Sequence, residues 1–278
     1  MAAFFYFSIF IPLSYFPLTE GRAIDYTAIA GCPNKCGEVE ISYPFGIGEP
    51  RCFFKGFEVV CIQNIPYLPE SNLQLLKILQ GEVSINSTSF IAQTCPSPAP
   101  FGTEASRFLL PETSPYTISI SNQFIAIGCS TTGGITENEV SWMFCSSDCP
   151  TKESVVNGSC EGHGCCTEPL PKMRKNLIIF IEGYQSSISN CSYGFVVEDG
   201  RYMFKETDLL DFDKTANISM NLEWSIGGSC LYQTGEPAHI CGSNATCSDT
   251  AEGYRCKCLD GYGGNPYLNG SQGCQGEL

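Results

Sequence analysis

Short runs in which polar and apolar residues alternate dominate the chain. Glu38-Val39-Glu40-Ile41-Ser42-Tyr43, Glu82-Val83-Ser84-Ile85-Asn86 and Tyr116-Thr117-Ile118-Ser119-Ile120 carry the two-residue period of strands buried on one face. Phe124-Ile125-Ala126-Ile127, residues 176–181 and residues 193–197 read as further strands, whereas residues 206–212 form the best short helix candidate. Turns rich in Gly, Pro, Asn and Ser separate these runs at short intervals. The pattern predicts a mainly β protein built from small antiparallel modules.

Residues 3–18 break this pattern, because they are uncharged and almost wholly apolar. Small residues at Gly21 and Ala23 follow, so residues 1–23 read as a secretory signal cleaved after Ala23. After it the longest apolar stretch is residues 177–181, far short of the roughly 20 residues that cross a bilayer, so no transmembrane span is expected.

Composition supports export. Eighteen cysteines among 278 residues, with only 16% charged residues, fit a chain stapled by disulfides in an oxidising compartment. The even count predicts nine bridges. Six N-x-Ser/Thr sequons, at Asn86, Asn157, Asn190, Asn217, Asn244 and Asn269, fit a glycosylated surface. Lys and Arg total 15 against 29 Asp and Glu, and the net charge of −14 argues against nucleic acid or anionic lipid as partner.

Cysteine parity suggests the domain boundaries. The last six cysteines fall within 45 residues, and a cut after Cys129, near Gly133-Gly134, leaves the remaining twelve as two groups of six. The expected organisation is a signal at 1–23, two cystine-stapled β-rich domains at 24–134 and 135–228, and a terminal module at 229–278.

In that terminal module, Cys241-x5-Cys247-x8-Cys256-x-Cys258, then Gly261-Tyr262 and Cys274, resembles an epidermal-growth-factor-like repeat. The resemblance implies the pairings Cys230 to Cys247, Cys241 to Cys256 and Cys258 to Cys274. It also marks Asp249 as a weak Ca²⁺ candidate. The acidic ligands expected before the first cysteine are replaced by Ile226-Gly227-Gly228-Ser229, and Ca²⁺ wants six to eight oxygens, so Asp249 reads foremost as a turn residue.

The first module carries a second likeness. Cys32-Pro33-Asn34-Lys35-Cys36-Gly37, Ile41-Ser42-Tyr43-Pro44-Phe45-Gly46-Ile47-Gly48 and Phe57-Glu58-Val59-Val60-Cys61 resemble the galacturonan-binding domain of plant wall-associated receptor kinases. Ala126-Ile127-Gly128-Cys129, Gly162-His163-Gly164-Cys165-Cys166 and Gly263-Gly264-Asn265-Pro266-Tyr267 are similar to later parts of the same extracellular region. The resemblance implies a pectin-binding ectodomain of the cell wall, in a family normally joined to a membrane span and a kinase. Neither motif set follows here, which reads as a secreted kinase-less relative or a truncated receptor.

Pectin is a polyanion, so this acidic chain needs local cations or a bridging Ca²⁺ to hold it; no other cofactor is expected. Lys35, Arg51 and Lys55 are the candidate cations, with Tyr43 and Phe53 as faces for sugar rings. The densest basic run, Lys172-Met173-Arg174-Lys175, reads as an exposed loop. No catalytic site is expected: the two histidines, His163 and His239, lie close to cysteines expected to be bridged, and no G-x-S-x-G elbow occurs. The alternative function is a protein-interaction module for a co-receptor or microbial protein.

Overall fold

The computed structural model describes residues 28–95, 99–137, 140–171, 175–213, 218–231 and 240–276. The signal segment, the basic residues 172–174, the Asn217 sequon and His239 lie outside the described residues. The regular structure is strand, with helix limited to single 3-10 turns among the described residues.

A six-stranded sheet runs in the spatial order Val60–Ile62, Ile65–Leu68, Leu73–Ile78, Glu82–Asn86, Ser219–Trp224 and Tyr116–Ile118. The alternation along Glu82–Asn86 places Val83 and Ile85 fully inside, as the two-residue period requires. A four-stranded sheet orders Cys165–Pro169, Asn122–Ile127, Ser192–Glu198 and Ala92–Thr94; another orders Val140–Ser147, Thr131–Glu137, Asn176–Tyr184 and Phe101–Leu109.

These two sheets pack face to face. A Cβ added to Gly133 would lie 3.0 Å from Phe124 Cζ of the facing sheet and 2.7 Å from Ile181 Cδ1 on the adjacent strand, so glycine leaves room where the sheets meet. The strand Asn122–Ile127 is apolar without alternation because both of its faces are covered. Phe124 and Ala126 face the main core, while Ile125 and Ile127 join Phe195, Phe204 and Phe212 in a second cluster on the other side.

All eighteen cysteines are paired. The repeat holds Cys230–Cys247, Cys241–Cys256 and Cys258–Cys274, the three pairings that its resemblance implies.

The boundary near Gly133-Gly134 does not survive. Both glycines lie inside the strand Thr131–Glu137, hydrogen-bonded to a strand on either side. Cys95–Cys191 and Cys129–Cys149 bridge across the cut, and Glu82–Asn86 pairs with Ser219–Trp224. Even parity on each side was therefore a coincidence of counting, since bridges and ladders both cross it. One core cluster runs from Ile41 and Phe45 through Ile179 to Tyr254 and Tyr267 of the repeat, so the three expected modules share an interior.

Two local expectations also change. Only Val39–Glu40 of the alternating run 38–43 is strand, paired with Lys35–Cys36, because the chain turns at Ser42, whose carbonyl accepts the Phe45 N–H at 2.9 Å. The helix expected at 206–212 is one 3-10 turn, Glu206–Leu209, started where the Asp208 carboxylate accepts the Lys205 N–H at 3.0 Å. It stops there because Phe212 is drawn into the second apolar cluster.

Candidate functional site

Cys36–Cys61 ties the N-terminal segment to the edge of the six-stranded sheet, and Cys32–Cys52 ties it to the 3-10 turn Pro50–Cys52. Between that turn and the sheet edge lies an open cleft of about 310 Å³. Phe53, Lys55, Glu58, Leu68, Glu70 and Tyr116 are among the residues that line it. Phe53 is half-buried and Lys55 is exposed, with no ion pair to a described residue.

The Tyr116 side chain is 4% exposed, and its hydroxyl has no hydrogen-bond partner among the described residues. Burial pushes its phenol far above the ordinary tyrosine range, and the Glu70 charge adds to the effect. A buried hydroxyl without a partner costs about 1–3 kcal/mol, so its persistence in a cleft wall asks for a reason. Behind it Phe45, Phe57 and Trp224 pack edge to face, with Phe57 and Trp224 centroids 5.4 Å apart. This aromatic block holds the cleft wall rigid.

The five residues picked out by sequence divide. Phe53 and Lys55 line the cleft; Lys35, Tyr43 and Arg51 do not. Lys35 pairs with Glu38 at 3.5 Å and Arg51 with Glu49 at 2.8 Å, both in the open. Such exposed pairs leave each charge largely compensated by its own neighbour. Tyr43 is half-buried against the main core, and its backbone carbonyl accepts a hydrogen bond from Asn265 of the repeat. Burial, then the nearby Tyr254, raises its phenol pKa.

Asp249 caps its own module. Its Oδ1 accepts the Cys230 N–H at 2.8 Å, and no cluster of three or more metal-binding side chains occurs among the described residues. Cys160, Cys165 and Cys166 are all in disulfides, and the exposed His163 touches the Asp148 carbonyl. Of the sequons, Asn157, Asn190, Asn244 and Asn269 are exposed; Asn86 is half-buried in a central strand, its amide donating to Gln74. Sequence reading did not single out Tyr116, Glu58 or Glu70: Tyr116 reaches the cleft by pairing with Ser219–Trp224, Glu70 by the turn between two strands, and Glu58 stands in a quoted motif that gives it no role.

Fold and site together define a class: a cystine-stapled β module with an open, aromatic-walled cleft and an EGF-like repeat docked against it. Residues 32–89 match the family model described as wall-associated receptor kinase galacturonan-binding. The chain is 34% identical over 98% of its length to wall-associated receptor kinase 5 of Arabidopsis thaliana, and 32% identical over 98% to wall-associated receptor kinase 1. It is 31% identical over 95% to wall-associated receptor kinase 4 of the same plant. It thus matches the extracellular region of the wall-associated receptor kinase family, and not a kinase domain. The chain spans 36–37% of the length of these relatives. No solved structure matches it, and no helix among the described residues is long and apolar enough to cross a membrane.

Proposed function

We propose that the cleft between Lys55 and Glu70 binds galacturonan and that the chain acts outside the cell as a pectin-sensing or pectin-tethering module of the wall. One observation carries this reading. Nine of the eleven residues lining the cleft fall within the 32–89 segment that matches the galacturonan-binding family, and they include an unpaired cation beside a half-buried aromatic ring.

The chemistry is that of an acidic sugar. The Lys55 ammonium takes the uronate carboxylate as a point charge, and Phe53 packs on the apolar face of the ring. The Glu58 and Glu70 carboxylates meet the sugar hydroxyls, while Tyr116, whose hydroxyl is buried, belongs to the wall behind them. Those two carboxylates also oppose a polyanion, and Ca²⁺ shared between them and a uronate relieves that repulsion with the oxygen ligands it prefers. Beyond about 8 Å the net charge of −14 is screened at physiological salt, so contact chemistry decides.

Titration of the secreted, glycosylated protein with de-esterified oligogalacturonate tests this. Binding that strengthens with Ca²⁺ and weakens on Lys55→Glu is expected; no binding, or binding indifferent to Lys55, overturns it.

A second reading, recognition of a protein partner, is favoured by the outer face of the sheet that ends in Phe101–Leu109. There Phe144 is 64% exposed, Leu109 61% and Tyr184 58%, the last ring 4.9 Å from Phe101. Apolar exposure gathered on one sheet face marks an interaction surface.

A further inference from the structure

The six-stranded sheet carries a second and larger groove, of about 460 Å³, where the Gln80-Gly81 turn meets the repeat. Trp224, Arg255, Lys257, Tyr262 and Tyr267 line it. Arg255 is spent on structure: Nε donates to the Trp224 carbonyl at 2.5 Å and Nη2 lies 3.2 Å from Glu223. Its guanidinium also presses on Gly81, where a Cβ would lie 2.9 Å from Nη1.

Lys257, in contrast, is exposed and forms no ion pair with a described residue. Tyr262 presents a ring that is 38% exposed. The Trp224 indole is 5% exposed, and its Nε1–H has no hydrogen-bond partner among the described residues. An exposed tyrosine and a lysine with no ion pair among the described residues, placed around one groove, are the complement of a sugar carrying a carboxylate. Arg255 and Lys257 offset Glu223 and Asp260, so the groove is locally neutral within an acidic chain.

We propose that this groove is a second saccharide site, created by docking of the repeat, which seats an acidic sugar with its carboxylate on Lys257 and its ring against Tyr262. It is separate from the Lys55 cleft and goes beyond that reading, although both take the same chemistry. Neither half alone forms it: Gln80, Gly81 and Trp224 come from the sheet, and the rest from residues 248–267.

Trp224 is one of two tryptophans, so its indole N–H resonance reports on this groove once Trp142→Phe assigns it. Tyr116 lies directly opposite Trp224 on the adjacent strand, so a signal relayed from the first cleft must be separated from direct binding. The full chain is titrated with trigalacturonate. The Trp224 resonance is expected to move, with its midpoint unchanged within twofold in Lys55→Glu and raised at least tenfold in Lys257→Glu. A resonance that stays still, that no longer moves in Lys55→Glu, or that moves unchanged in Lys257→Glu overturns the proposal. Calorimetry on the same variants distinguishes the sites: heat lost only in Lys55→Glu leaves the first cleft standing and removes the second, and heat lost only in Lys257→Glu does the reverse.

Discussion

The Asn265 side chain donates its amide N–H to the backbone carbonyl of Tyr43 at 2.7 Å, joining residues 222 positions apart. Asn265 is fully buried, and its Oδ1 accepts the Tyr267 N–H at 2.9 Å. The two sequence motifs that it connects, Tyr43-Pro44-Phe45-Gly46 and Gly264-Asn265-Pro266-Tyr267, are the seam between repeat and first module. Gln272, donating to the Ala28 carbonyl at 2.7 Å, and the bridge of Ile226 to Tyr254 continue that seam.

Asn265→Ala removes both the hydrogen bond to the part-buried Tyr43 carbonyl and the one to the buried Tyr267 N–H. Orphaned buried groups cost about 1–3 kcal/mol each, so a loss of roughly 2–4 kcal/mol in unfolding free energy is expected by urea denaturation of the oxidised protein. A change below about 0.5 kcal/mol would show that the repeat is not held through this contact.

Disulfides of different span should differ in worth. Cys95–Cys191 closes 96 residues and Cys160–Cys165 closes five. Loop-closure entropy gives about 5 kcal/mol for the first and about 2 kcal/mol for the second. Paired Cys→Ser variants, compared by denaturant midpoint, should follow this order; equal losses would contradict it.

The three candidate cations should not behave alike. Lys55→Glu is expected to weaken oligogalacturonate binding about tenfold or more, equivalent to about 1.4 kcal/mol. Arg51→Gln and Lys35→Gln, whose charges are already paired with Glu49 and Glu38, should shift it less than threefold. The comparison is made by calorimetry at fixed salt, and an Arg51 effect as large as that of Lys55 would move the site toward the N-terminal loop.

Alkaline pH should destabilise the fold through its buried phenols. Burial raises Tyr116, and burial followed by the hydrogen bond to Asp208 raises Tyr202, each above the ordinary value near 10. The folded chain therefore keeps protons that the unfolded chain releases. Their contribution is fully present below about pH 10 and falls as pH climbs past it. Urea midpoints measured from pH 8 to 11.5 should drop above pH 10, and Tyr116→Phe should reduce the slope. At pH 7 the same variant should be as stable or more so, since it deletes a buried hydroxyl that has no hydrogen-bond partner among the described residues.

Legibility followed the range of the interaction. The strand Glu82–Asn86 was readable because period-2 alternation is set by the residues themselves. Phe53 and Lys55, picked out from the sequence as a ring and a cation, both line the cleft. Arg51, equally basic, lies outside the cleft and pairs with Glu49, which is a matter of side-chain geometry. That Tyr116 lines the cleft was invisible, since an apolar alternating run announces only a strand.

From composition and spacing alone come the β character and the full use of cysteine in bridges, because each rests on periods and counts within the chain itself; the internal wiring of the repeat came from its resemblance to a known module. The partition into modules, the walls of both grooves and the burial of Asn265 against Tyr43 belong to the tertiary structure. They arise where the strand Ser219–Trp224 inserts between Glu82–Asn86 and Tyr116–Ile118, bringing together segments more than a hundred residues apart. Pairing at that distance is chosen by which apolar faces can be buried together, a global condition that no local pattern encodes.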